Sequence, residues 1–187
     1  MANIADGYVS IKSTTDKEHL LKCTKEILEL AENVYSELGS GYREDIYQKA
    51  LAIHFRKKKI KYYKESNIEI FFQGESLALF RLDFLIPAQK NRRWQLNNPI
   101  IIETKAIPNL NDTHRLQIKN YLLSCPNNSS ESFKKVKQGF LLNWKAGLDD
   151  VSEDIDKEGV EIELYTLRAK KLSELFSNTC KVKKISN

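Results

Sequence analysis

The chain has 187 residues, 41% of them hydrophobic, which suits one globular domain with a sizeable core and marks off no second one. Its formal charge of +5 favours anionic partners, although an excess of that size also suits an ordinary solvated surface. Cys23, Cys125 and Cys180 are odd in number, far apart and without a CxxC, and no apolar run approaches a membrane span, so the expectation is reduced thiols in a soluble, intracellular, cytoplasmic protein with no membrane partner.

The N-terminal stretch, MANIADGYVSIKST, lacks the basic start and apolar core of a secretory signal and reads, over residues 1–15, as a flexible polar arm. Asp16 is expected to cap a helix in which Leu20, Ile27, Leu30, Val34 and Leu38 recur at helical spacing up to Gly39. After the short connector Gly39-Ser40-Gly41, a second helix is predicted from about Tyr42 to Lys59, with Ile46, Ala50 and Ile53 inward and Phe55 a further candidate. The two helices should pack as one layer.

Strands follow. Asn67 to Phe72 alternates, Gln73-Gly74-Glu75 is a tight turn, and Leu77 to Ile86 returns carrying Asp83. A polar, basic loop runs from Pro87 to Asn98. The β-branched run from Pro99 to Ile107, PIIIETKAI, reads as a strand buried on both faces. Asn111 or Asp112 caps a third helix through Ser124, and Pro126 to Ser132 is loop. Val136 to Trp144 and Val160 to Leu167 read as strands, with an acidic helical or coiled stretch from Asp149 to Glu158 between them. Lys170 to Phe176 reads as a last helical turn or two, so the domain spans residues 16–176 and residues 177–187 form a basic tail. A sheet between helical layers is the α/β plan that this order implies.

The chemistry concentrates in the central strand. Glu103 and Lys105, two apart, share a face after three isoleucines, where an acid and an amine are costly unless something charged compensates them. Asp83 lies three residues before Ile86, and Glu103 three after Ile100, so an antiparallel pair with Ile86 opposite Ile100 sets Asp83 opposite Glu103. Two carboxylates that close repel unless one is protonated or a cation lies between them. An Asp, a Glu and nearby carbonyls form a hard oxygen site of the kind Mg²⁺ prefers, Mn²⁺ being the alternative. Two structural acids in salt bridges are the competing reading.

Asp83 followed by a buried strand with Glu103-x-Lys105 resembles the PD-(D/E)xK nuclease superfamily, in the variant without the proline before the aspartate. Gly41-Tyr-Arg-Glu44-Asp-Ile-Tyr47 resembles the signature of the GxxExxY family within it. His114-Arg-Leu-Gln117-Ile-Lys-Asn-Tyr121 and Gly139-Phe-Leu-Leu-Asn143 resemble that family's later helix and strand. The resemblance covers roughly Leu20 to Leu167. It implies a restriction-endonuclease-like core of a central mixed sheet flanked by helices. It also implies Mg²⁺-dependent hydrolysis of phosphodiester bonds, with DNA favoured over RNA.

In that scheme Asp83 and Glu103 hold one or two ions, and Lys105 steadies or helps to deprotonate the attacking water. Glu44 is implied as a metal-side or water-mediated ligand, its other reading being a helix-dipole partner. Tyr47 would position Glu44 or simply pack. Gln117 and Tyr121, one turn apart, would line the site with His114 one turn further, and a helix histidine is also often plain surface. Thr104 departs from the family's hydrophobic residue and is expected to contribute its carbonyl to the metal while its side chain points away. The loop before the central strand is longer than the family's, and its Arg92, Arg93 and Trp94 could touch nucleic acid. The same holds for Arg56 to Lys59 and Lys61-Tyr-Tyr-Lys64. The rival is a catalytically inactive nuclease-fold protein that binds nucleic acid or serves in an assembly. Oligomeric state is left open, a homodimer included.

Overall fold

Apolar residues at helical spacing make α1 (Thr14–Leu38) and α2 (Glu44–Lys57) one layer. The sheet they cover has six strands, β1 (Tyr63–Phe72), β2 (Glu75–Ile86), β5 (Ile100–Lys105), β6 (Gln138–Lys145), β7 (Gly159–Arg168) and β8 (Lys171–Cys180), hydrogen-bonded in that order. This is a computed structural model, and it describes residues 14–145, 159–168 and 171–180. Residues 1–13 of the expected arm, the acidic stretch from Asp149 to Glu158 and the end of the basic tail lie outside the described residues, and the last two residues of the expected arm, Thr14 and Thr15, begin α1.

Only β5 and β6 run parallel; every other neighbouring pair is antiparallel. A parallel neighbour needs a crossover. Here α3 (Asp112–Ser124), the 3₁₀ turn Cys125–Asn127 and α4 (Glu131–Lys134) supply it, crossing the face opposite α1 and α2. One core therefore holds Ile27, Leu51, Phe55, Phe84, Ile102 and Trp144 between the sheet and α1 and α2. The other holds Leu82, Leu85, Ile101, Ile118, Tyr121 and Leu141 under α3. This is the mixed sheet between helical layers that the sequence implies.

Several elements differ from expectation. Helix α1 starts two residues before Asp16, which lies in its first turn rather than capping it. The buried face of α2 is Tyr47, Gln48, Leu51, Ala52 and Phe55, while Ile53 is exposed and Ile46 and Ala50 are only partly covered. The inward face carries a glutamine, which a purely hydrophobic pattern passes over. The segment expected as a last helix is β8, a strand paired with β7 over its whole length, and sheet pairing runs on to Cys180. Leu172, Leu175 and Phe176 have helical spacing, and non-local pairing overrides it.

The basic loop also has structure. It holds the small hairpin of β3 (Gln89–Lys90) and β4 (Gln95–Leu96), and Trp94 is buried with its Nε1 donating to Glu26 at 2.6 Å.

The β1–β2 hairpin turns tightly at Gln73 and Gly74, both at positive φ. Further along, its pleat breaks. Leu82 and Phe84 are two apart and should share a face, yet Leu82 joins the core under α3 and Phe84 the opposite one. Opposite the break stands Glu65, at φ 58°, between the pairs Lys64–Phe84 and Ser66–Leu82. A non-glycine residue there is strained. The residue it faces is Asp83.

Candidate active site

Strands β2 and β5 pair with Ile86 opposite Ile100, Leu85 opposite Ile101 and Phe84 opposite Ile102, the register expected from the spacing of the acids. The ladder stops there, one step short of Asp83 and Glu103. Beyond it β2 stays with β1 and β5 stays with β6, so the strands fork. A fork leaves the next backbone amide of β5 without a strand partner. Asp83 fills the gap: its Oδ2 accepts from the Thr104 N–H and from the Thr104 hydroxyl, both at 2.7 Å.

The Thr104 side chain therefore does not point away from the site. It also accepts from Gln48 Nε2 at 2.9 Å, and Gln48 donates to Glu44 Oε1 at 3.0 Å. A chain of polar contacts thus runs from Asp83 through Thr104 and Gln48 to Glu44 in the first turn of α2. Gln48 is absent from the residues singled out in the sequence. Its signal was available, a polar residue one turn beyond Glu44 on the buried face.

Glu103 shares the α3 side of the strand with Ile101, is 3% exposed, and accepts from Lys105 Nζ through Oε1 at 2.6 Å. Its Oε2 is buried without a hydrogen-bond partner. Burial first, and then the charge of Asp83, push its pKa up to about 7, against the pull of Lys105. Burial works to lower the Lys105 pKa, but the charge and hydrogen bond of Glu103, with Glu44 and Asp83, outweigh it and hold that pKa above the ordinary value. Lys105 is therefore an ammonium in the metal-free site. Burial raises the Glu44 pKa as well, with Lys105 opposing and Asp83 adding to it.

An orphaned buried carboxylate oxygen costs roughly 1–3 kcal/mol or more, and a hard cation would satisfy it. Asp83, Glu103, the Thr104 carbonyl and Glu44 at the edge are oxygen donors, so the residues fit a divalent metal. Among the described residues, no three Asp, Glu, His or Cys side chains come together as an all-protein cage. A metal that keeps several waters, as Mg²⁺ does, needs only one or two carboxylates.

On the α3 side, Gln117 Nε2 donates to the Tyr121 hydroxyl at 2.9 Å. Burial raises the Tyr121 pKa, the Gln117 bond opposes, and the phenol feels the charges of Glu103, Lys105 and Asp83. Tyr121 is thus within electrostatic reach of the carboxylates, and Gln117 is engaged by Tyr121 rather than by Lys105. His114 is engaged locally at the start of α3. Its Nδ1 accepts from the Asn111 N–H while Asn111 Oδ1 accepts from the His114 N–H, both at 3.2 Å, closing a capping box. Burial first, then Lys105 and Arg115, lower its pKa.

Other assignments need correction. Tyr47 is fully buried, stacks on Trp144 with ring centroids 5.2 Å apart, and donates to the Gly39 carbonyl at 2.7 Å. It anchors the connector between the helices and offers a substrate no surface. Arg92 and Arg93 are both exposed, and Arg93 is engaged by Glu26 at 3.4 Å and Glu29 at 3.1 Å on α1. Both sit at the closed end of the β2–β5 pair, and the carboxylates stand at its open end. Tyr62 packs against Phe55 and Phe84 and accepts from Arg56 at 2.7 Å, so it is no stacking platform.

Beside Asp83 and Glu44 opens a polar cleft of about 360 Å³, bordered also by Arg43, Glu65 and Arg81. Arg43 is there as the residue that starts α2 beside Glu44, whereas Glu65 and Arg81 were marked by no sequence pattern, since the break in the hairpin brings them there.

A family model described as the PD-(D/E)XK nuclease superfamily matches residues 21–155. No curated protein and no solved structure matches the chain significantly.

Proposed function

Because the chain belongs to the PD-(D/E)XK nuclease superfamily and has its restriction-endonuclease-like fold, we propose that it hydrolyses phosphodiester bonds of nucleic acid, DNA before RNA, with Mg²⁺ or Mn²⁺. The GxxExxY family is the branch that its motifs favour. The observation that carries the reading is the buried, unpartnered Oε2 of Glu103 beside Asp83 and Lys105. Asp83, Glu103 and the Thr104 carbonyl would hold the ion, with Glu44 at its edge. Bound there, the ion would polarise the scissile phosphate and acidify a water.

The chain's own groups do the rest. Lys105, held protonated by Glu103, hydrogen-bonds the attacking water or a phosphate oxygen and offsets the charge that builds on phosphorus. Thr104 fixes Asp83 by two hydrogen bonds to one oxygen, which leaves the other for a ligand. Gln48 ties that arrangement to α2, so Glu44 is set relative to Asp83 before substrate arrives. Tyr121, fixed by Gln117, walls the α3 side.

The test is incubation with labelled linear, circular and single-stranded DNA and RNA, with Mg²⁺, Mn²⁺ or chelator. Cleavage should require the metal. Asp83→Asn should reduce it by about 10² to 10³-fold or more, with binding at low salt retained because phosphate contacts supply most affinity. Wild type that binds these substrates as well as the variant does but cuts none would leave a nuclease fold that only binds.

A further inference from the structure

A second cleft, of about 610 Å³, opens between α3 and the β1–β2 hairpin. Its apolar walls include the rings of Phe71, Phe80 and Tyr121, and its polar groups include the amides of Gln117, Asn120 and Asn127. Phe80 is 47% exposed, and its ring lies 6.1 Å from that of Tyr121 at an angle of 53°. Asn120 and Asn127 are exposed as well. A core-forming cleft would not set three amides among its rings.

Flat aromatic walls with amide donors and acceptors match the two faces of a nucleobase: rings stack on its plane, and amides pair with its edge. The volume lies in the range of small-ligand sites. The cleft also lies on the same side of the sheet as two of the charged groups of the candidate active site. Tyr121 belongs to both, since its phenol borders this cleft and feels the charges of Glu103, Lys105 and Asp83. Glu103 and Lys105 lie on the α3 face of β5, the same side of the sheet.

We infer that this cleft holds an unstacked nucleobase of a single-stranded segment, next to the phosphodiester presented to Asp83 and Glu103. A base inside a duplex is stacked and paired and cannot enter, so the substrate class is single-stranded nucleic acid or a frayed end. The assignment rests on the nuclease reading only for where the phosphate lies.

The test separates the two. Wild-type protein in chelator, where no metal-dependent cleavage occurs, is titrated with a single-stranded oligonucleotide carrying 2-aminopurine, with an abasic strand of equal length, and with a duplex. The base-bearing strand should bind about tenfold or more tightly than the other two, with quenched 2-aminopurine emission. Phe80→Ala should bring its affinity to the abasic level and leave abasic binding unchanged. If that variant fails to fold, Asn120→Ala is read the same way, with a loss of about three- to tenfold confined to base-bearing strands. Equal binding of all three ligands, or a loss in Phe80→Ala that affects abasic and base-bearing strands alike, overturns the inference. So does a wild-type dimer in sedimentation that Phe80→Ala dissolves, because the cleft then belongs to a second copy of the chain. Wild type that shows base-dependent binding but cuts nothing when metal is restored supports the base site and removes the nuclease reading.

Discussion

A carboxyl group that is 3% exposed, with one oxygen on Lys105 and the other on nothing, keeps its proton longer than a free one. Glu103 titrates near 7 in the fold, against an ordinary value of 4.5, through burial first and Asp83 second. Between those values the folded protein holds a proton that the unfolded chain has released. The stabilising contribution is therefore complete below about 4.5 and is lost as pH rises through 7, a loss on the order of 3 kcal/mol. A cation at Oε2 would take the proton's place. Mg²⁺ should thus raise Tm little at pH 5.5 and by several degrees at pH 8, as thermal melts with and without chelator would show. Glu103→Gln, which cannot ionise, should flatten the metal-free decline between pH 5 and 8 and lose most of the Mg²⁺ effect. An equal Mg²⁺ shift at both pH values would place the ion elsewhere. At this scale the acids and the lysine were legible, because charges in an isoleucine strand need a reason. The Thr104 hydroxyl on Asp83 was not, since strand alternation sends that side chain to the α2 face, away from Glu103, and only the fork and the break in β2 let Asp83 reach it.

The β5–α3–β6 crossover fixes how far Tyr121 stands from the carboxylates, and Gly139 sets its closest approach. A Cβ on Gly139 would meet Ile101 Cγ1 at 2.9 Å and Ile118 Cδ1 at 3.0 Å, both apolar side chains packed in the core under α3. Gly139→Ala should therefore cost about 1–3 kcal/mol by chemical denaturation, and Gly139→Val more. Because the strain pushes α3 outward, Gly139→Ala should also lower cleavage at saturating substrate, with metal binding retained. Unchanged stability would mean that the two isoleucines yield freely. Asn143, buried on the same strand, bonds both the N–H and the carbonyl of Ile107 and so pins the chain just after Lys105. The β2–β5 register was readable because equal spacing from Ile86 and Ile100 admits one pairing of the acids. The inward face of α2 was not, because Glu44 and Gln48 lie inside for the sake of the site. A pattern that counts apolar residues turns that helix the wrong way, and it also takes the strand made by pairing with β7 for a helix.

Across the whole molecule, a charge of +5 tells that anions are welcome but not where they land. Arg92 and Arg93 look equivalent in the sequence, and the fold gives them different work. Arg93 bridges Glu26, a 4% exposed residue that also holds Trp94, and Glu29. Arg93→Glu sets a third acid against those two and should lower the melting temperature. Exposed Arg92, at the far end of the hairpin from the carboxylates, should change stability by less than about 0.5 kcal/mol when reversed. Its reversal should also leave the salt dependence of nucleic-acid binding nearly unchanged. Arg81 borders the cleft beside Asp83 and, among the described residues, is paired through a 3.6 Å contact to Glu65, itself in a strained backbone conformation. A phosphate arriving at Asp83 can take that guanidinium from Glu65 at little cost. Arg81→Ala should therefore weaken binding and reduce the slope of log K against log salt by about 1, the signature of one lost phosphate contact. Melting curves and salt titrations of Arg81→Ala, Arg92→Glu and Arg93→Glu separate these roles. A slope that falls for Arg92→Glu and holds for Arg81→Ala would move the path of the strand to the closed end of the hairpin.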